Sequence, residues 1–280
     1  MRLRQGLRRP GPDRPVRQRL LGLVGVFTAL LWIDNLSEHY RGGFRDRLMW
    51  IPIVVAPVAA VTSLAASRSE RRSIGWAAAV AAALQGGVAL VGVARHHRGI
   101  TARVGHGPRM YVFHAWFGPP IFAPLQYLGF AGLGLLGGLP RRVLEPLTNV
   151  LPLERLLPLY VAVSIPPLWG EIAYLHWRGS FQNRAQFVPL FWLPLVGGAA
   201  LAAAIAPGRI GRRAYRLLPT SLGSLGATGI ALYAYGVHRR YGGWDRKVAL
   251  FNWLSGPPVP APLQIVGLGL IARTGRQHDR

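Results

Sequence analysis

The chain alternates between long apolar runs and short polar clusters, and the runs set its elements. A helix needs about 20 apolar residues to cross the hydrocarbon core of a bilayer. Eight stretches approach that requirement: Leu20 to Ser37, Met49 to Ala66, Ile74 to Ala94, Met110 to Leu136, Leu156 to Leu175, Phe187 to Ala206, Leu217 to Val237 and Val248 to Ala272. The seventh is diluted by Pro219, Ser221, Ser224 and Thr228, yet its Gly223, Gly226 and Gly229 suit close helix packing in lipid. Ahead of the first run, residues 1–19 carry Arg2, Arg4, Arg8, Arg9, Arg14, Arg17 and Arg19 among Pro10, Pro12 and Pro15. That composition predicts a solvated or headgroup-bound tail. No small-residue cleavage site precedes Asp34, so the first run is expected to remain as a span.

The second half of the chain restates the first. Residues 39–52, HYRGGFRDRLMWIP, align without gaps on residues 176–189, HWRGSFQNRAQFVP, at a shift of 137. Residues 118–126, GPPIFAPLQ, align on residues 256–264, GPPVPAPLQ, at a shift of 138. The fold class predicted is an all-α polytopic membrane protein with eight transmembrane helices as two tandem four-helix repeats, 20–138 and 156–272. A connecting loop at 139–155 joins them and a tail at 273–280 follows. An even number of spans per repeat makes both enter the membrane in the same direction. The repeats should then be related by a pseudo-twofold along the membrane normal, with any shared site near that axis.

Composition narrows the function classes. The chain is 51% hydrophobic and carries 33 basic against 10 acidic residues, a net charge of +23, which does not fit an ordinary soluble enzyme. The charge sits in clusters between apolar runs rather than along a solvated face, so the expected partners are the lipid bilayer and anionic headgroups at the N-terminal tail, not nucleic acid. The absence of cysteine removes disulfides, thiolate metal sites and cysteine nucleophiles. No P-loop, HExxH, GxSxG or dinucleotide fingerprint stands in a suitable context. The larger share of Arg and Lys falls on the side of the tail, which places both termini in the cytoplasm, although Arg95, Arg98, Arg103 and Arg109 oppose that bias. The preference for Arg over Lys is that of a GC-rich bacterial genome, hence an inner (plasma) membrane.

The candidate chemistry lies in residues that persist between the two halves while the span interiors drift. Asp34 and Glu171 occupy one position in both, inside predicted spans. A charge there costs on the order of 2.5 to 3.5 kcal/mol even on lenient scales, so it faces a cavity, a partner or a cofactor, or else sits shallow and pairs with Arg41 or Arg178. His39, His97, His176 and His238, with His96 as an alternative to His97, close odd-numbered spans on one side of the membrane. With Asp34 and Glu171 they form a layer suited to haem or to Fe, Mn or Zn. In a regular helix Asp34 and His39 stand about 140° apart, so the carboxylates could instead orient imidazoles on neighbouring helices. Arg41 and Arg178, each beside a glycine, fit an anionic group of a cofactor or lipid, or snorkel to the interface. Pro119, Pro120 and Pro124, and Pro257, Pro258 and Pro262, predict helices that start late, kink or break, and freed carbonyls that need a protein-lined cavity. Gln126 and Gln264 supply polar groups there. His114 stands opposite Asn252 and Glu38 opposite Leu175, outside the symmetric set.

The leading expectation is a haem or metal protein carrying out redox chemistry; the alternatives are a transporter or channel for a small anion or proton-coupled solute, to which matching broken helices in two halves point, and a membrane anchor that docks a soluble partner subunit.

Overall fold

The structure, a computed structural model, describes residues 12–206, 209–254 and 260–276. Among these it contains helices α1 (Arg14–Arg41), α2 (Trp50–Arg68), α3 (Arg72–Thr101), α4 (Pro108–Phe117), α5 (Ala123–Gly138), α6 (Arg141–Val150), α7 (Leu153–Arg178), α8 (Val188–Ile205), α9 (Arg209–His238), α10 (Ala249–Leu254) and α11 (Pro260–Arg276). Single 3-10 turns, Arg47–Met49 and Arg184–Phe187, lead into α2 and α8. Six helical segments among the described residues are long and apolar enough to cross a membrane: those of α1, α2, α3, α7, α8 and α9. Their outward faces are apolar as well: Val54, Val58 and Val61 on α2 and Phe191 and Leu195 on α8 are exposed at helical spacing. Lipid, not water, is the solvent such faces require. The chain is an all-α, multi-pass membrane protein.

The fourth expected span is not a continuous helix. Pro119 and Pro120 cannot donate backbone hydrogen bonds, so α4 stops at Phe117 and α5 begins only at Ala123. With 16 residues α5 is about 24 Å long, short of the roughly 30 Å hydrocarbon core. In the last stretch α10 ends at Leu254 and α11 starts at Pro260, while Pro257 and Pro258 lie outside the described residues. Two boundaries also move. Residues 14–19, expected in the tail, are the first turns of α1. Asp13 caps that helix by accepting from the Val16 N–H at 3.0 Å, and Arg17 donates to the carbonyls of Gly137 (2.9 Å) and Gly138 (3.3 Å) at the end of α5. The segment 139–155 contains α6, an amphipathic helix that buries Leu144 and leaves Val143, Leu147 and Val150 exposed opposite Arg141, Arg142 and Glu145. Such a helix suits a membrane interface. The arginines at 2, 4, 8 and 9 lie outside the described residues.

Packing runs in parallel along the two halves. α1 packs on α2 and α3 on α5; α7 packs on α8 and α9 on α11; across the halves α1 meets α11 and α5 meets α7. Small residues permit the closest approaches. A Cβ on Gly86 would stand 3.2 Å from Ala131 and one on Gly92 3.1 Å from Pro124, while Gly223 meets Gly269, and a Cβ on Gly229 would stand 2.8 Å from Pro262. Each contact of the second half lies 137 or 138 residues beyond one in the first.

The tryptophan that persists between the halves has a structural duty. Pro57 in α2 removes the N–H that would bond the Ile53 carbonyl one turn earlier, and the Trp32 indole N–H takes that carbonyl at 2.9 Å. Pro194 frees the Leu190 carbonyl of α8 in the same way, and the Trp169 indole takes it, also at 2.9 Å. In lipid an unpaired carbonyl has no water to turn to, so the indole fixes both the proline position and the approach of α1 to α2 and of α7 to α8.

Candidate functional site

The repeated runs HYRGGF and HWRGSF build a turn. After α1 the N–H groups of Gly42, Gly43 and Phe44 donate to the carbonyls of Glu38, Tyr40 and His39; after α7 those of Gly179, Ser180 and Phe181 donate to Leu175, Trp177 and His176. Phe44 (φ 46°) and Phe181 (φ 47°) both take the left-handed conformation, a strained choice for a side chain of that size. Packing holds them there. Phe44 stacks on Trp50 and meets the His39 ring edge-on, and Phe181 stacks on Phe187 and on the His176 ring. His39 also shares a hydrogen bond between Nδ1 and the Met49 carbonyl at 2.8 Å. The persistence of these two histidines is thus accounted for by the turn.

The histidine layer is not assembled. His97 is exposed and turned to Tyr111, and His238 is exposed at the end of α9. The glycine contacts explain why: they register Gly92 with Gly229, which sets His96 opposite Tyr233 and leaves His97 and His238 four residues out of step. His96 is the imidazole that turns inward, binding the Pro120 carbonyl at 2.6 Å, the carbonyl that Pro124 leaves free, and lying within electrostatic reach of His39. Among the described residues no three His, Asp or Glu side chains form a group able to hold a metal ion. The expected ligand set of Asp34, His39, His97, Glu171, His176 and His238 is therefore not brought together, because two of its members face outward and two hold turns.

The two carboxylates lie within electrostatic reach of one another. Asp34 on α1 lies within electrostatic reach of Glu38, Glu171 and Arg41, and Glu171 on α7 within reach of Glu38 and Arg178. Glu171 is only 4% exposed, takes the backbone N–H of Phe122 in the α4–α5 break, and keeps Oε2 buried without a partner. Tyrosines ring the pair: Tyr127, whose hydroxyl receives the Asn35 amide at 3.3 Å, and Tyr233 both sense Asp34, and Tyr174 senses Glu171. Arg41 is spent on Glu38 at 2.7 Å. Arg178 reaches the Tyr174 hydroxyl at 3.4 Å and lies over its ring. Neither arginine forms a direct ion pair with Asp34 or Glu171. Tyr174 in turn donates to the Ala115 carbonyl, and Trp116 packs edge-on against Trp177, so α4 of the first half leans on the end of α7.

A cavity of about 60 Å³ is lined by Phe122, Gln126, Tyr160, Ser164 and Gln264 among apolar side chains that include Pro167 and Leu168, one turn before Glu171 on α7. Gln126 and Gln264, the corresponding residues of the two runs aligned at 138, meet there: the Gln264 amide donates to Gln126 Oε1 at 2.6 Å. At the rim of the same end Arg95 pairs with Asp46, whose carboxylate also accepts the Leu48 N–H at 2.9 Å. These two donors hold the Asp46 carboxyl below its ordinary range, the Leu48 amide most strongly.

Glu38, Asn35, His96, Tyr127 and Tyr233 belong to this site although the sequence comparison passed over them or ranked them low. Glu38 carried a usable signal, since it lies four residues after Asp34 and shares its helix face. No family model, no curated protein and no solved structure matches the chain.

Proposed function

We propose that the chain is a proton-coupled carrier of a small solute, composed of two like halves, 20–138 and 156–272, that face one another about an axis along the membrane normal. The observation that carries the reading is that Asp34 and Glu171 lie within electrostatic reach of one another, with one Glu171 oxygen buried and unpartnered, while Glu171 accepts the N–H of Phe122, a residue of the cavity that the Gln126–Gln264 pair also lines. A buried carboxylate without a counter-ion is expensive in a low-dielectric interior. A proton is the one cation that relieves it without asking for further ligands, and two such carboxylates from opposite halves form a short relay. The paired turns, the paired indole contacts and the paired glycine contacts support the twofold arrangement, and the α4–α5 break, whose Phe122 lines the cavity, supports a site that opens by rearrangement of short segments. The arginine-rich start of α1 puts the N-terminus in the cytoplasm in this reading, so the carboxylates lie toward the outer face.

The test uses purified protein in vesicles and a panel of radiolabelled lactate, alanine, uracil and succinate, with acid outside and a neutral interior. At least one solute accumulates above protein-free vesicles, a protonophore abolishes the accumulation, and Glu171→Gln removes it. Failure of the whole panel to respond to the proton gradient overturns the reading, as does a Soret band or stoichiometric iron, manganese or zinc in the purified protein, which would restore the redox function.

A further inference from the structure

The first half keeps polar atoms in its interior where the second keeps hydrocarbon. In the first half α1, α2, α3 and α5 pack in a ring, each on the next, and in the second α7, α8, α9 and α11 do the same. Thr28 on α1, Ser63 on α2 and Gln85 on α3 are all buried, and Thr28 Oγ1, Ser63 Oγ and Gln85 Oε1 have no hydrogen-bond partner among the described residues. The Gln85 side-chain nitrogen donates to the Tyr127 carbonyl of α5 at 3.4 Å, which leaves the amide oxygen to be met by another donor. Packing sets the three residues at neighbouring levels. A Cβ on Gly134 of α5 would stand 2.7 Å from Ala82 of α3 and 3.6 Å from Val24 of α1. Gln85 follows Ala82, and Thr28 follows Val24, by one turn on the same helix faces. Ser63 lies one turn before Ala66, which packs with Leu21 and Ala78, and α2 runs against α1 and α3, so Ser63 is level with Val24 and Ala82.

The second half supplies the control. At a shift of 137 the three positions are Ile165, Ala200 and Leu222, each as deeply buried and each apolar, so this packing does not require polar side chains there. Side-chain bulk differs in the same sense: Leu193, Val196 and Leu218 stand where the first half has Ala56, Ala59 and Ala81, and all six are buried. Unpaired polar atoms are costly in an interior surrounded by lipid, and three at adjoining levels call for one shared partner. That partner must donate to Gln85 Oε1 and accept from the two hydroxyls. It must also be neutral. α2, α3 and α5 contain no acidic residue, and the nearest on α1, Asp34, is six residues beyond Thr28, about 9 Å along the helix. A cation among three neutral oxygens would have no charge to offset its desolvation.

We infer that the interior of the first half is a binding site for water, shared by Thr28, Ser63 and Gln85. Water both donates and accepts, and a buried molecule typically makes about three hydrogen bonds, the number these side chains leave open. Through it α1, α2 and α3 are joined by hydrogen bonds at the level where α7, α8 and α9 are joined by apolar packing alone. The inference goes beyond the carrier reading and does not depend on it, since a redox protein or a docking subunit could hold the same water.

The experiment compares Val24 with Val161, the same residue at corresponding positions, 1% and 0% exposed. Radiolytic hydroxyl-radical footprinting of the full chain in detergent oxidises side chains beside bound water even where bulk solvent does not reach. Val24 is expected to be oxidised several times faster than Val161. The triple variant Thr28→Ile, Ser63→Ala, Gln85→Leu, which copies the second half onto the first, should bring Val24 down to the rate of Val161. Because that variant could misfold, the melting temperatures of Thr28→Val and Ser63→Ala give a second measurement. Each withdraws a partner from the shared water and should lower the melting temperature by about 2 to 4 °C, whereas removing a hydroxyl that had no partner would raise it. Equally slow oxidation of the two valines overturns the inference, as does a rise in melting temperature for both single variants. A melting temperature that climbs when sodium or potassium chloride replaces choline chloride in the unaltered chain, but not in the triple variant, also overturns it, because the ligand would then be a cation.

Discussion

The two carboxylates occupy corresponding positions and live in different surroundings. Asp34 is half-buried, has Asn35 as its chain neighbour and Glu38 one turn on, and faces Tyr127 and Tyr233. Glu171 is buried, has Ile172 and Leu175 in the places of Asn35 and Glu38, and touches the cavity through Phe122. The first half thus presents a polar, partly wet acid and the second a dry one. The difference teaches that corresponding positions in sequence need not carry the same task. In the proposed carrier a proton moving inward would meet the more exposed Asp34 first and the isolated Glu171 oxygen last, so direction would be written in the residues that the two halves do not share.

The largest effect should come from breaking that order at its dry end. Glu171→Gln keeps shape and hydrogen bonding but no longer exchanges a proton, and gradient-driven uptake is expected to fall to the level of protein-free vesicles. Asp34→Asn should slow uptake less, because water reaches a half-buried position and can substitute for it. Equal losses in the two variants would break the comparison. A smaller effect should follow at Glu38. Glu38→Leu copies the second half onto the first and releases Arg41 from its 2.7 Å partner. Arg41 then approaches Asp34, and uptake is expected to drop severalfold, with recovery in the double variant Glu38→Leu, Arg41→Leu. An undiminished rate in Glu38→Leu would mean that Leu175 and Glu38 are equivalent and the asymmetry idle.

What was legible in the sequence follows from which forces act locally. The apolar runs give the helical class, and the prolines at 119, 120 and 124 give the break before α5, because lipid and a missing N–H act on the residues that carry them. Asp34 with Glu171 and Gln126 with Gln264 were legible as pairs, since a polar residue kept twice in an apolar span has a reason. The start of α1 carries a local signal, Asp13 as cap with Pro15 in the first turn, that the density of arginine and proline masks; what no local pattern shows is that Arg17 reaches the carbonyls of Gly137 and Gly138, some 120 residues away in sequence. The histidines at 97 and 238 agree in type but not in register, and type alone is visible in a sequence. Gly92 on Pro124 and Gly229 on Pro262 set the register, and those contacts exist only in three dimensions. Glu38 was set aside because it had no counterpart, a criterion that removes the very residues through which two like halves can differ.

Where the halves agree, substitution should cost stability equally. Trp32→Phe leaves the Ile53 carbonyl unpaired and Trp169→Phe leaves the Leu190 carbonyl unpaired. Each is expected to lower the free energy of unfolding in bicelles by about 1 to 3 kcal/mol, the desolvation cost of one buried acceptor. Pro57→Ala and Pro194→Ala restore the N–H within the helix, so each double variant should recover most of its loss. A Trp32→Phe cost untouched by Pro57→Ala would show that the indole acts through packing instead.

The smallest effect is expected at the rim, where it sharpens the assignment of pH dependence. Asp46 is partly exposed and its carboxyl is held below the ordinary range by the Leu48 amide and Arg95. A group whose value is depressed in the folded state contributes its stabilisation above the unfolded value and loses it only as pH falls through the lowered one. Between neutral and mildly acid solution the Asp46 ties are therefore constant. Amide hydrogen exchange of residues 42–50, corrected for intrinsic rate, should be the same at both conditions and should accelerate only below the usual carboxylate range, whereas Asp46→Asn should raise it slightly at every pH. If the rim instead loosened across the mildly acid window in which uptake rises, the acid dependence would belong to the opening of this turn and not to the two carboxylates beneath it.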